Sequence, residues 1–227
     1  LLAEAMGCVG MRCEKKSALG SSRLSSFLAT QRVEHVDHCH DLLFIEQVYG
    51  ASSSRHSVYL SFLRHLVRYA DERPRLRIAY CLRPLRYAED VVVVKTIDAI
   101  LKPGRFTVLE SSSNISSYQH MLNSKLVVSC DSSLRYEAVV LGKMILSCSD
   151  RRELFDYVVQ ASAPCFVVSS DEYTEFSEKI DFLLGQDKVD AVSTALNRMI
   201  NLWRSDQSFN VAEKIARTAI ECCAGEV

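Results

Sequence analysis

Along most of this chain, short apolar runs alternate with longer stretches in which apolar residues recur every three or four positions. The first run, Asp41 to Val48, reads as a buried strand. Tyr59, Phe62, Leu63, Leu66 and Tyr69 behind it fall on one helical face. Arg75 to Leu82 predicts a second strand, running into a turn at Arg83-Pro84. Between Tyr87 and Leu101 two signals compete. Val91 to Val94 is rich in strand formers, whereas Val91, Val94, Ile97 and Ile100 or Leu101 have helical spacing. A crossover between parallel strands favours the helix, which Lys102, Pro103 and Gly104 would end. Further strands are expected at Phe106–Leu109, Leu126–Val128, Met144–Leu146 and Cys165–Val168. Helices are expected at Tyr118, Met121 and Leu122, around Glu137, over 153–161, over 171–184 with Ser170 or Asp171 as cap, over 189–203 and over 209–222.

This rhythm predicts an α/β fold, a Rossmann-like parallel sheet of about six strands flanked by helices, with extra C-terminal helices. Residues 1–40 are weakly patterned, with a short helix allowed around Ser22 to Arg32. They read as a linker or as the tail of a preceding domain, and 41–227 as the Rossmann-like domain. The chain starts at Leu1 without an initiator methionine, so it is expected to be a fragment or a processed form.

Polar, small-residue loops follow the expected strands. Gly50 to Arg55 carries Ser53 and Ser54, Glu110 to Asn114 follows the third strand, and Ser129 to Ser133 is expected to be a polar turn leading into the helix of Glu137. In a parallel sheet these loops gather at the carboxyl edge, where ligands sit. Ser132 and Ser133, with free backbone N–H groups around them, make a phosphate cradle. The same residues are ordinary helix caps. Glu137 lies five and four residues beyond Ser132 and Ser133, so neither forms a capping box with it, and Gly142 suits a helix C-terminus. Both readings of the serine pair stay open here.

The segment from Ser116 to Cys148 resembles the carboxy-terminal, donor-binding half of GT-B glycosyltransferases. The likeness is greatest to bacterial surface and capsular polysaccharide transferases with a Ser-Ser motif. It rests on Tyr118, Leu122, Val127, Val128, Ser129, Ser132, Ser133, Glu137, Ala138, Gly142 and Lys143. The resemblance implies that Ser132 and Ser133 hold the phosphate of a nucleotide-sugar donor and that Glu137 binds its ribose. It places Ser53 and Ser54 in the interdomain cleft and Asn114 near the base, although a plain turn residue is the favoured reading of Asn114. Many relatives carry His-Pro where this chain has Arg83-Pro84, with Arg86 beyond. An arginine holds phosphate but cannot donate a proton near neutral pH. Arg83 and Arg86 are therefore expected to neutralise a diphosphate, and the catalytic residues stay unassigned. The expected activity is donor binding in polysaccharide or glycoconjugate synthesis, inactive alone, with a glycan or lipid-linked acceptor bound through a missing amino-terminal domain. Related epimerases share much of the motif, so a UDP-sugar 2-epimerase-like isomerase is an alternative. A degenerate, non-catalytic binding module is another.

Composition narrows the partners. A net charge of −1 gives no electrostatic case for nucleic acid. No apolar run approaches the roughly 18 residues that span a bilayer. Nine scattered cysteines without CxxC read as free thiols in a reducing compartment. A cytoplasmic location follows, with peripheral membrane attachment allowed. His35, Asp37, His38, Cys39, His40 and Asp41 crowd one short run with no second cluster to face them, so they read as a polar loop, with no metal and no cofactor expected.

Overall fold

The computed structural model describes residues 24, 27, 39–83, 91–102, 104–110, 117–130, 132, 134–141, 143–148, 167–168 and 172–185. Its strands are β1 (His40–Ile45), β2 (Ile78–Cys81), β3 (Thr107–Leu109), β4 (Ser124–Cys130), β5 (Met144–Cys148) and β6 (Val167–Val168). Its helices are α1 (Ser54–Glu72), α2 (Val91–Leu101), α3 (Ser117–Leu122), α4 (Leu134–Val140) and α5 (Tyr173–Gly185). Five strands of three residues or more, and the two-residue β6 at one edge, form a sheet in the order β3-β2-β1-β4-β5-β6. Every described pairing is parallel. The order reverses between β1 and β4, the switch point at which doubly wound sheets open a crevice above their carboxyl ends.

The apolar runs at Leu42–Ile45, Leu126–Val128 and Ile145–Leu146 are continuous because these strands are covered on both faces. Phe44, Tyr80, Val128 and Leu146 share one register level. α1 packs on that face, where Tyr59 meets Phe44 and the Phe44 and Tyr80 rings stack at 5.9 Å. The alternate residues Ile45, Ser129 and Ser147 point to the other face, where Arg135 of α4 bonds Ser147.

α1 buries Tyr59, Phe62, Leu63, Leu66 and Tyr69, the stripe expected from spacing. α2 is a helix, as crossover logic predicts. Its buried stripe is instead Val93, Ile97 and Leu101, and Val91 is 60% exposed. Steps of four keep that stripe facing α1, whereas the expected set drifts around the helix axis. β1 stops at Ile45 rather than Val48, and β4 is longer than expected at both ends. Ser129 and Cys130, assigned above to a polar turn, are buried strand residues paired with β5. Parallel pairing with β5, and for Ser129 also with Ile45 of β1, takes up backbone groups there, so side-chain polarity does not end the strand. Leu24 and Phe27, both helical, pack on the same core, with Leu24 only 5% exposed. Part of the segment read as a linker or tail thus contributes to this domain's interior. The expected helices over 153–161, 189–203 and 209–222 lie outside the described residues.

At the amino edge of the sheet, Asp41 accepts from the Arg77 backbone N–H at 2.9 Å and from its guanidinium at 3.2 Å, with Lys125 at 3.1 Å. Burial pushes the Asp41 carboxyl up, but the bonds from Arg77 and Lys125 outweigh it and hold the group down at about 2. A carboxyl depressed by folding contributes stability that is complete above its unfolded value near 3.8 and fades as pH falls toward 2. Arg77 and Lys125 are half exposed, so we expect roughly 1–2 kcal/mol from this source. Urea melts of wild type and Asp41→Asn at pH 6 and pH 2.5 check it. The stability gap between the two should narrow markedly at the lower pH, and an unchanged gap refutes the assignment.

Candidate functional site at the carboxyl edge

The carboxyl ends of β1, β2 and β4 lie side by side, and the residues leaving them build the edge. After β1 the chain passes through Glu46 to the loop that ends at Ser53. Ser53 has extended dihedrals, φ −75° and ψ 131°, and its side-chain oxygen accepts from the Arg55 N–H at 3.3 Å. It is the N-cap of α1, and its own N–H donates to the Gly50 carbonyl at 2.9 Å. Ser54 is exposed in the first turn. After β2, Arg83 is exposed, and its backbone N–H donates to the Glu46 carboxylate at 2.8 Å.

After β4, the Ser132 hydroxyl accepts from the Leu134 N–H at 3.3 Å and its carbonyl accepts from the Arg135 N–H at 3.2 Å. Capping is therefore realised at Ser132, which is 8% exposed. Glu137, in the first turn of α4, is buried and accepts the Tyr118 hydroxyl at 2.9 Å on Oε2. Arg86, Asn114 and Ser133 lie outside the described residues. Of the residues singled out from sequence, Ser53, Ser54, Arg83, Ser132 and Glu137 share the one edge by topology.

Glu46 was not singled out from sequence, yet it organises this edge. It is 1% exposed and accepts from the Tyr80 hydroxyl at 3.3 Å as well as from Arg83. Tyr80 lies 2.8 Å from the Tyr59 hydroxyl, which accepts from the Gln47 N–H at 3.0 Å. Each tyrosine has one proton. If Tyr80 gives its proton to Glu46, Tyr59 must give its own to Tyr80. Burial raises the Tyr59 pKa well above that of a free phenol, so it stays a neutral donor. The relay ties the exits of β1 and β2 together beneath the crevice. Its only signal in the sequence is an acid directly after the apolar run of β1.

His56 is a second residue the sequence reading passed over. It lies in the first turn of α1, beside the serine loop, and its buried Nδ1 has no hydrogen-bond partner among the described residues. At the opposite, amino edge of the sheet, Lys143 donates to the Leu122 carbonyl at 2.6 Å, and burial lowers its pKa to about 8. Among the described residues no group of three or more His, Cys, Asp or Glu side chains is placed to hold a metal, and no helix is long and apolar enough to cross a membrane. A groove of about 540 Å³ between α1 and α2, lined by Arg64, Val67, Arg68, Ala99 and Ile100, sits toward the opposite end of α1.

No family model matches the chain, and no curated protein does. Solved structures do. A Listeria monocytogenes protein assigned as a UDP-N-acetylglucosamine 2-epimerase aligns over 94% of this chain and 56% of its own length, with TM-score 0.57 and 15% identity. The E. coli trehalose-6-phosphate structure bound with UDP-2-fluoro glucose aligns over 87% and 46%, with TM-score 0.53 and 10% identity. S. aureus TarM, in complex with fondaparinux, alpha-GlcNAc-glycerol and UDP, aligns over 82% and 37%, with TM-score 0.50 and 11% identity. The chain thus spans about half or less of the length of these proteins. The fold is of the GT-B type, an α/β domain with a Rossmann-like parallel sheet.

Proposed function

We propose that this domain binds the nucleotide diphosphate of a sugar donor above the β1–β4 switch point. We also propose that it is the donor-binding half of a glycosyltransferase acting in polysaccharide or glycoconjugate synthesis. The observation that carries the reading is the convergence of Arg83, the Gly50–Ser54 loop, Ser132 and Glu137 on one carboxyl edge of a GT-B-type sheet. Arg83 and Arg86 neutralise the diphosphate, Ser132 and Ser133 hydrogen-bond it, and Glu137 takes ribose hydroxyls. The loop of Ser53 and Ser54 lines the cleft, and Asn114 lies by the base. Stabilising the leaving diphosphate is then the domain's main catalytic contribution. The glycan or lipid-linked acceptor, and any base that activates it, belong to a further domain. UDP compounds in two of the structural neighbours favour this class of ligand.

A thermal-shift screen against UDP, CDP, CMP, GDP and their sugar conjugates tests the reading. A ligand at a hundredfold excess over its Kd adds about 2.7 kcal/mol, a shift of several degrees. The rise should occur with one nucleotide class and vanish in Ser132→Ala/Glu137→Ala. A protein that melts cooperatively and shifts with none of them overturns it in favour of a non-catalytic module.

His56 favours a second reading, a UDP-sugar 2-epimerase-like isomerase, since such chemistry needs a histidine in the cleft and this one stands at the carboxyl edge. Conversion of UDP-N-acetylglucosamine to its 2-epimer, lost in His56→Ala, would select it.

A further inference from the structure

Glu137 is held from behind. Tyr118 is the second residue of α3, and both it and Glu137 are buried, 5% and 6% exposed. The tyrosine hydroxyl donates to Glu137 Oε2 at 2.9 Å, a charge-assisted bond stronger than one between neutral groups. Behind the tyrosine stands Phe27, its ring centroid 5.0 Å away and its plane tilted by 37°. Phe27, Tyr118 and Glu137 belong to three separate stretches of the chain and form a line of contacts from the amino-terminal segment to the carboxyl edge. A glutamate has three rotatable side-chain bonds, and freezing them on binding costs conformational entropy. A carboxylate already fixed in plane and direction avoids that cost when it accepts from a vicinal diol.

We propose that Tyr118 is a positioning residue for the ribose-binding carboxylate, and that Phe27 sets the tyrosine ring. Discrimination between ribose and 2′-deoxyribose then depends on two residues that do not contact the nucleotide. The inference rests on the reading that Glu137 takes the ribose. If the Tyr118 hydroxyl only satisfied a buried acid, its loss would lower stability and leave sugar discrimination untouched.

The test is equilibrium binding of UDP and CDP, each against its 2′-deoxy form, to the full chain. Wild type should prefer the ribonucleotide about tenfold or more, the worth of a hydrogen bond to a charged group. Tyr118→Phe, which keeps the ring against Phe27, should cut the preference to about threefold or less while deoxynucleotide affinity stays unchanged. Phe27→Ala should lower it part of the way, and it decides the matter if Tyr118→Phe does not melt cooperatively. A folded variant that keeps the full wild-type preference overturns the inference alone. A wild type with no preference overturns the ribose role of Glu137 and this inference with it.

Discussion

Glu46→Ala is expected to lower folding stability by about 3 kcal/mol. The variant strands the Arg83 N–H, which donates to Glu46 at 2.8 Å, and the Tyr80 hydroxyl, buried at 0% exposure. A buried hydroxyl left without an acceptor costs about 1–3 kcal/mol, more than the bond itself contributes, and the N–H of the exposed Arg83 adds about the worth of its bond to a charged group. Glu46→Gln retains an acceptor oxygen and should cost about half as much. Tyr80→Phe should also cost less, because it leaves the Arg83 contact in place. Urea denaturation of the three variants gives the order. An alanine cost below about 1 kcal/mol, or a glutamine variant as damaged as the alanine one, would mean that the relay does not tie the two strand exits together.

Phe176→Ala is expected to cost about 3–5 kcal/mol, the range for emptying a buried aromatic site. Phe176 is fully buried between α5 and α1, with Phe62, His65 and Tyr69 rings at 6.1, 5.8 and 6.3 Å. The same two helices are laced on their outer side by polar contacts. Asp181 accepts from Tyr69 at 2.7 Å and from Arg73, and Arg68 lies 3.8 Å above the Tyr173 ring. Burial and the bond to Asp181 raise the Tyr69 pKa, so the tyrosine is a neutral donor there. Asp181 is nearly half exposed, so Asp181→Ala should cost about 1 kcal/mol or less. A reversed order, with Asp181→Ala the larger loss, would place the attachment of α5 in its polar rim rather than its core.

The layered α/β fold was legible because continuous apolar runs and period-3.6 stripes are written by burial itself. The runs of β1, β4 and β5 and the stripe of α1 followed from that alone, and the helix in place of a valine strand at α2 from the crossover between parallel strands. Boundaries were less legible. Ser129 and Cys130 are polar or small, and their pairing with neighbouring strands in three dimensions keeps them in the strand. The stripe of α2 shifted to Val93, Ile97 and Leu101 because the partner helix, not the spacing, selects which apolar residues are buried. At the carboxyl edge, Ser132 and Glu137 stood out by motif. Glu46 could not, since its partner Tyr80 lies 34 residues away, and although Tyr118 belongs to the motif, no local pattern records its bond to Glu137, 19 residues on. The buried Leu24 shows the same limit in a weakly patterned segment.

The most direct measurement of donor binding at this edge is backbone amide exchange with and without the nucleotide that gives the largest thermal shift. Slowed exchange over 46–56, 82–83 and 132–138, with 172–185 unchanged, is the result expected for a diphosphate above the β1–β4 switch point. Slowing confined to the groove around Arg64, Arg68 and Ile100, with the carboxyl edge exchanging as before, would contradict it.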